Sequence, residues 1–349
     1  MNILALALAG VISFLLTPLL CRVAPRLGAV DKPDARKVHR TLMPRLGGVA
    51  IYAGFLAAFY LLGYHGEKYL GLLLGGTFIM LVGLVDDIKN ISPRLKLMGQ
   101  IVAAAILVAF GVRVEFLTNP FDGLFILGKL AIPVTIFWIV GVTNALNLVD
   151  GLDGLAAGTS FIAAVTIAMV AWLNGEVVVA LLSLALAASV LGFLPFNFHP
   201  ARIFMGDSGS MFLGFNLAAL ATIGLTKSAT VVSLFVPVVI LGLPILDTTL
   251  AIIRRFLNHQ PIFAPDKGHL HHRLLAQGLT QRQAVGVIYL VDACLGGSAV
   301  LLTRLATDQG MLILVGLAVI ILVGCDKLGV LGRRHLTRVK ARHNSLHIL

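Results

Sequence analysis

The chain has 349 residues, of which 58% are apolar and only 12% charged, with a mean hydropathy of +0.96. A soluble domain carries about 25% charged residues, so this composition excludes one and indicates an integral membrane protein. The formal net charge of +11 needs no nucleic acid to explain it, because basic cytoplasmic loops and contact with anionic lipid can supply much of it.

A spanning helix needs about 20 mostly apolar residues. Eleven runs qualify, near residues 3–22, 47–64, 69–85, 97–111, 129–147, 156–173, 177–195, 209–224, 229–252, 286–303 and 311–326. The first is preceded only by Met1 and Asn2, with no basic stretch and no small-residue cleavage site, and reads as a retained helix. Between the fourth and fifth runs, Val112 to Gly128 places Asn119-Pro120 and Asp122-Gly123 between apolar stretches, which predicts a small hairpin. Most of the 27 lysines and arginines fall in alternate connections. That side is the cytoplasm by the positive-inside rule. Lys68, Arg113, Lys129, Lys227 and Arg304 lie on the other side. The expectation is an all-α, multi-pass protein of about eleven spans, N-terminus outside and C-terminus cytoplasmic. Residues 1–349 form one polytopic domain, with 327–349 as a basic cytoplasmic tail. Cys21, Cys294 and Cys325 are far apart and form no metal or disulfide spacing.

Polar residues recur at the cytoplasmic ends of these runs. "HRTLMPRLGG" enters the second, and Lys37, Arg40 and Arg45 precede Gly47-Gly48, whose bare backbone would let a ligand approach. "GLVDDIKN" closes the third with Asp86 and Asp87, and Lys96 follows closely. "TNALNLVDGLDG" closes the fifth with Asn144, Asn147, Asp150 and Asp153, and Asn144 and Asn147, at i and i+3, share a helix face. "FMGDSGS" opens the eighth with Asp207, and "DKGHLHHRLL" lies between the ninth and tenth. One Asp at a helix end is usually a cap. Five carboxylates converging from three connections repel one another unless a cation binds or some protonate. Oxygen ligands without cysteine suit a hard ion, and Mg2+ is the natural one because it leaves positions for water and substrate phosphates. His269, His271 and His272 would serve as phosphate donors, with zinc the alternative. The bases beside the acids fit a polyanionic ligand.

In order along the chain, "PRLGG", "GLVDD", "NALNLVDGLDG", "FMGDSGS" and "HLHHRL" resemble the motifs of the polyprenyl-phosphate N-acetylhexosamine-1-phosphate transferases. The resemblance implies an active site at the cytoplasmic face. Asn147 and Asp207 would hold Mg2+, with Mn2+ as a substitute. Phe204 would stack on uracil, Asp153 would contact it, and Lys96 would lie near the phosphates. His271, His272 and Arg273 would contact the sugar and diphosphate. Asp86 or Asp87 would act on the acceptor phosphate, either as a base or through an aspartyl-phosphate. Lys37, Arg45, Asn144, Asp150 and His269 complete the expected substrate-binding set. The "HLHH" spacing and basic tail look like the GlcNAc branch. The expected partners are a UDP-N-acetylhexosamine, undecaprenyl phosphate and the bilayer of a bacterial inner membrane, with a homodimer as one possible assembly and no nucleic acid. The alternative is a cation-coupled transporter, which places acids near mid-span; here they gather at helix ends, and only Asp292 sits inside an apolar run.

Overall fold

A computed structural model describes residues 2–31, 42–118, 124–225, 231–260, 268–305 and 307–327. Ten of the eleven apolar runs form one helix each: α1 (Asn2–Val23), α2 (Gly47–Leu62), α3 (Glu67–Lys89), α4 (Pro93–Ala109), α5 (Ala131–Val149), α6 (Leu155–Leu173), α7 (Val177–Asn197) and α8 (Gly206–Leu225), then α12 (Gln281–Leu302) and α13 (Thr307–Lys327). The ninth run is broken into α9 (Val231–Ile240) and α10 (Gly242–Leu257), and the connection after it contains the short helix α11 (Leu270–Ala276). The break at Leu241 follows from Pro244, which has no N–H to offer the Ile240 carbonyl. Leu241 turns instead, with φ −98° and ψ 17°.

Among the described residues, six helical stretches are long and apolar enough to cross a bilayer, namely Asn2–Val23, Glu67–Lys89, Gly128–Val149, Leu155–Leu173, Val177–Asn197 and Gln281–Leu302. The protein is therefore an all-α membrane protein, and its outward faces carry large apolar side chains such as Phe137, Leu19 and Leu290. The expected hairpin is present as β3 (Phe116–Thr118) against β4 (Leu124–Ile126), with Leu117 opposite Phe125; its turn lies outside the described residues. A second antiparallel pair, β1 (Val30–Asp31) with β2 (Met43–Pro44), closes the connection from α1 to α2.

The core is built around α8, whose residues Met211, Leu213, Leu217, Ala218, Ala219 and Leu220 are wholly buried. In lipid, helices associate through close backbone packing rather than through the hydrophobic effect, so small residues mark the contacts. A Cβ at Gly48 of α2 would lie 2.2 Å from the Gly209 nitrogen. One at Gly83 of α3 would lie 2.5 Å from Ser208 Cα, and one at Gly214 would lie 2.7 Å from Thr143 Cα of α5. These three approaches bring the ends of α2, α3 and α5 to the first turns of α8, where the polar motifs meet.

Candidate active site

The last turn of α3 presents two adjacent carboxylates with different partners. Asp87 is buried and spends both oxygens on the start of α8. Its Oδ1 accepts from Asp207 N at 2.8 Å, and its Oδ2 accepts from Ser208 N at 3.0 Å and Ser208 Oγ at 2.6 Å. It thus serves as an N-cap supplied by another helix. Gly206, with φ +75°, is required at that junction, because a Cβ there would lie 2.5 Å from Asp87 Oδ2. Asp86 accepts from Ile91 N at 2.8 Å and pairs with Lys96 Nζ at 2.8 Å.

With its backbone held by Asp87, Asp207 directs its carboxylate at three other motifs. Lys96 Nζ bridges it to Asp86. Asn147 Nδ2 donates to Asp207 Oδ1 at 3.1 Å and to Ser210 Oγ at 2.8 Å. Arg45 lies 3.5 Å from Asp87, 4.0 Å from Asp207 and 3.6 Å from Asp31. Asp150 follows α5 beside this cluster. Burial, then the negative charges of Asp207 and Asp87, push its carboxyl up to about 7.

Other expected residues take supporting positions. Asn144 faces Gln100, donating to its Oε1 at 2.5 Å and accepting from its Nε2 at 3.2 Å. Asp153 Oδ2 accepts from Ala201 N at 3.1 Å and pairs with His199 Nδ1 at 2.8 Å, which ties the α5–α6 turn to the segment leading into Phe204. Phe204 donates its N–H to Pro44 O and accepts from Gly47 N, so "PRLGG" and "FMGDSGS" run backbone to backbone. This corrects the reading of Gly47-Gly48 as room for a ligand. A Cβ at Gly47 would lie 2.3 Å from Phe193, so the space is taken by neighbouring helices. Lys37 and Arg40 lie outside the described residues.

The histidine loop reaches the same site through α11. A Cβ at Gly151 would lie 2.6 Å from His271 Nε2, so the imidazole rests on the turn that follows Asp150. His271 is buried, and burial followed by the neighbouring His272 lowers its pKa to about 4. At neutral pH it therefore brings hydrogen bonding without charge. Arg273, held by its Nε bond to Gly268 O at 3.0 Å, brings the loop's permanent charge.

The reading from sequence missed several members. Asp247, inside the ninth apolar run, joins Asp292 as a second acid in such a run; it accepts from Leu270 N at 2.8 Å and pairs with His269 Nδ1 at 2.9 Å. Asp292 accepts from Thr159 at 2.7 Å, away from the cluster. Gln100, Ser208, Ser210 and His199 also hold site residues in place. The serines were legible in "GDSGS", whereas the others carried no signal of spacing.

The donor set fits Mg2+. Four carboxylates, Asp86, Asp87, Asp150 and Asp207, face two fixed cations, Lys96 and Arg45. The Asp150 carboxyl is raised first by burial and then by the negative charges of Asp207 and Asp87. The Lys96 ammonium between Asp86 and Asp207 stands where a cation is favoured. Among the described residues no three acidic, imidazole or thiol groups form a ready-made cage. Mg2+ does not need one, since it takes one or two carboxylates and completes its shell with water and phosphate oxygens.

An all-helical membrane protein with carboxylates, amides and bases assembled around one buried helix end has the parts of a membrane-embedded transferase of phosphorylated substrates. The profile described as Glycosyl transferase family 4 matches residues 69–225. The chain is 49% identical over 290 residues to the probable undecaprenyl-phosphate N-acetylglucosaminyl 1-phosphate transferase of Bacillus subtilis (strain 168), covering 82% of this chain and 81% of that one. It is 41% identical over 313 residues to the decaprenyl-phosphate N-acetylglucosaminephosphotransferase of Mycobacterium tuberculosis, covering 81% and 78%. Over 360 residues it is 30% identical to the undecaprenyl-phosphate alpha-N-acetylglucosaminyl 1-phosphate transferase of Escherichia coli (strain K12), covering 98% and 96%. The chain belongs to glycosyl transferase family 4.

Proposed function

We propose that the protein transfers N-acetylhexosamine-1-phosphate, and GlcNAc-1-phosphate first among the candidates, from a UDP-sugar to undecaprenyl phosphate. The products are UMP and the first lipid-linked intermediate of a cell-envelope polysaccharide. The observation that carries this is the joining of Asp86, Lys96, Asn147 and Asp207 at the start of α8, in a chain whose relatives bear the names given above.

An oxygen of the lipid phosphate attacks the β-phosphorus, and the bond from that phosphorus to the bridging oxygen breaks, with its electron pair leaving on UMP. Catalysis of such a step is mainly positioning and charge neutralisation. Asp207 and Asn147 would hold Mg2+, which when bound neutralises diphosphate charge and stabilises the leaving group. Lys96, Arg45 and Arg273 supply the fixed positive charge, and His271 and His272 hydrogen-bond the sugar diphosphate. Asp86 is the better placed of the two acids to take a proton from the lipid phosphate, whose second pKa is about 6 by analogy with phosphoserine. Only one of its oxygens is fixed by backbone, whereas Asp87 is committed to α8. Phe204 would stack on the uracil, with Asp153 nearby.

The site faces the cytoplasm in this reading, with eleven crossings of the cell membrane; α9 and α10 together make the ninth. Charge supports it. Lys89, Lys96, Arg202, Arg254, Arg255 and Arg273 share the acids' side, where a soluble nucleotide sugar meets a lipid headgroup. The test is purified protein with Mg2+, undecaprenyl phosphate and a panel of radiolabelled UDP-sugars. Labelled lipid and UMP should form from UDP-GlcNAc, and Asp207→Ala should abolish both while still inserting and folding. A folded wild-type protein that makes no lipid-linked product from any UDP-N-acetylhexosamine would refute the reading.

A further inference from the structure

Asp247 has no place in the transfer chemistry above, yet it is buried in α10 and makes two bonds to the histidine loop. Its Oδ1 accepts Leu270 N, a first-turn N–H of α11, so it fixes where that helix starts. Its Oδ2 meets Nδ1 of His269 at 2.9 Å, with both side chains almost fully shielded. A carboxylate only accepts, so the hydrogen in that contact sits on Nδ1. The atom left to exchange a proton or accept a bond is then Nε2. The order continues beyond His269: the rings of His269 and His271 stack at 5.8 Å and 6°, and His271 rests on Gly151.

We propose that Asp247 is a positioning residue for the transfer reaction: it docks α11 and sets the ring orientation and Nδ1–H form of His269, and through that ring places His271 on the Asp150–Gly151 turn. This rests on the functional reading above for its effect on rate, but not for the tautomer it assigns.

Asp247→Asn separates the two roles. Its amide oxygen still accepts Leu270 N–H, which leaves the NH2 group facing His269 Nδ1 and demands the other tautomer. The expected result is a fall in kcat of about 10- to 100-fold, the scale on which a carboxylate behind a functional imidazole acts, with melting temperature and KM for UDP-GlcNAc close to wild type. In protein labelled with [15N]histidine, the His269 resonances should change from the Nδ1–H to the Nε2–H pattern. Combining Asp247→Asn with His269→Gln should be no worse than His269→Gln alone. His269→Asn gives a second route if Asp247→Asn fails to fold. It keeps an N–H toward Asp247 and removes Nε2, so kcat should fall while the protein stays folded. Wild-type kcat in folded Asp247→Asn or His269→Asn would overturn the proposal, as would an unchanged 15N pattern in Asp247→Asn. If the folded wild-type protein had no transferase activity while Asp247→Asn still changed the His269 tautomer, the functional reading alone would be refuted.

Discussion

Gly151→Ala tests the contact that joins the two halves of the site. Gly151 is not among the residues with positive φ, so alanine fits the backbone, and the loss of chain entropy in the unfolded state would by itself stabilise by about 0.4–1 kcal/mol. The new methyl, however, would lie 2.6 Å from His271 Nε2 and 2.9 Å from its Cε1. Ordinary contact begins near 3.4 Å, so the ring must retreat by about 0.8 Å. It is buried and in ring contact with both His269 and His272, which stand in the way of that retreat. Overpacking of this kind costs about 1–3 kcal/mol, which outweighs the entropy gain. A displacement near 1 Å in a positioned group costs up to about 100-fold in rate. Gly151→Ala should therefore lower kcat/KM for UDP-GlcNAc by about 10- to 100-fold, with a melting temperature a few degrees down. In a His271→Ala background the obstruction is gone, and Gly151→Ala should change the remaining rate by less than about twofold. Equal losses in the two backgrounds, or wild-type behaviour of the single variant, would refute the contact.

Phe204→Ala should weaken UDP binding by about 1–3 kcal/mol, the range for base–aromatic stacking, measured by calorimetry on detergent-solubilised protein; unchanged affinity would place uracil elsewhere. His271 is held neutral, its pKa lowered from an ordinary 6.5 to about 4. Between those values the unfolded chain binds more protons than the folded one, so this group's contribution is complete above pH 6.5 and is lost as pH falls toward 4. Melting temperature should thus drop from pH 7 to pH 5, and less steeply in His271→Gln; parallel curves would show that the ring is not the group responsible. Gln277, exposed at the end of α11, gives a topology test. As the only cysteine in a variant lacking the native three, Gln277→Cys should react with an impermeant reagent only after the membrane is opened, and labelling in intact cells would separate the histidine loop from a cytoplasmic site.

Much of this arrangement was legible because apolar run length and helix-end polarity are local properties. Every run of sufficient length became helix, and Asn119-Pro120 with Asp122-Gly123 marked the β3–β4 hairpin. What was not legible depended on packing. Hydropathy is continuous through the ninth run, and membrane helices tolerate proline, so Pro244 gave no decision between a kinked helix and the break at Leu241. Consecutive residues Asp86 and Asp87 look alike in a motif, but the roughly 100° of helix rotation between neighbours sends one to Lys96 and the other to the α8 N-terminus. Gly47-Gly48 suggested a ligand approach, whereas the same absence of Cβ admits Phe193 and Gly209. Asp247 went unnoticed because one acid in an apolar run has no periodicity, and its partner His269 is 22 residues away.

The commitment of Asp87 has a consequence for how the site meets its anions. Helix N-termini commonly bind phosphate through their free N–H groups, and α8 begins where the diphosphate is proposed to lie. Yet Asp207 N and Ser208 N are already given to Asp87, so that first turn offers little to a phosphate. The α3 and α5 C-termini end at the same place with carbonyl-rich, partly negative turns. Positive potential must then come from side chains and a bound cation, and the fixed side chains nearest the acids are Lys96 and Arg45. Four carboxyl groups against two such cations either leave the cluster acidic or, as at Asp150, push a carboxyl toward its protonated form before any substrate arrives. A substrate carrying a diphosphate would make that imbalance worse. The geometry that anchors α8 so firmly is therefore also the geometry that makes a divalent ion the natural companion of the proposed UDP-sugar.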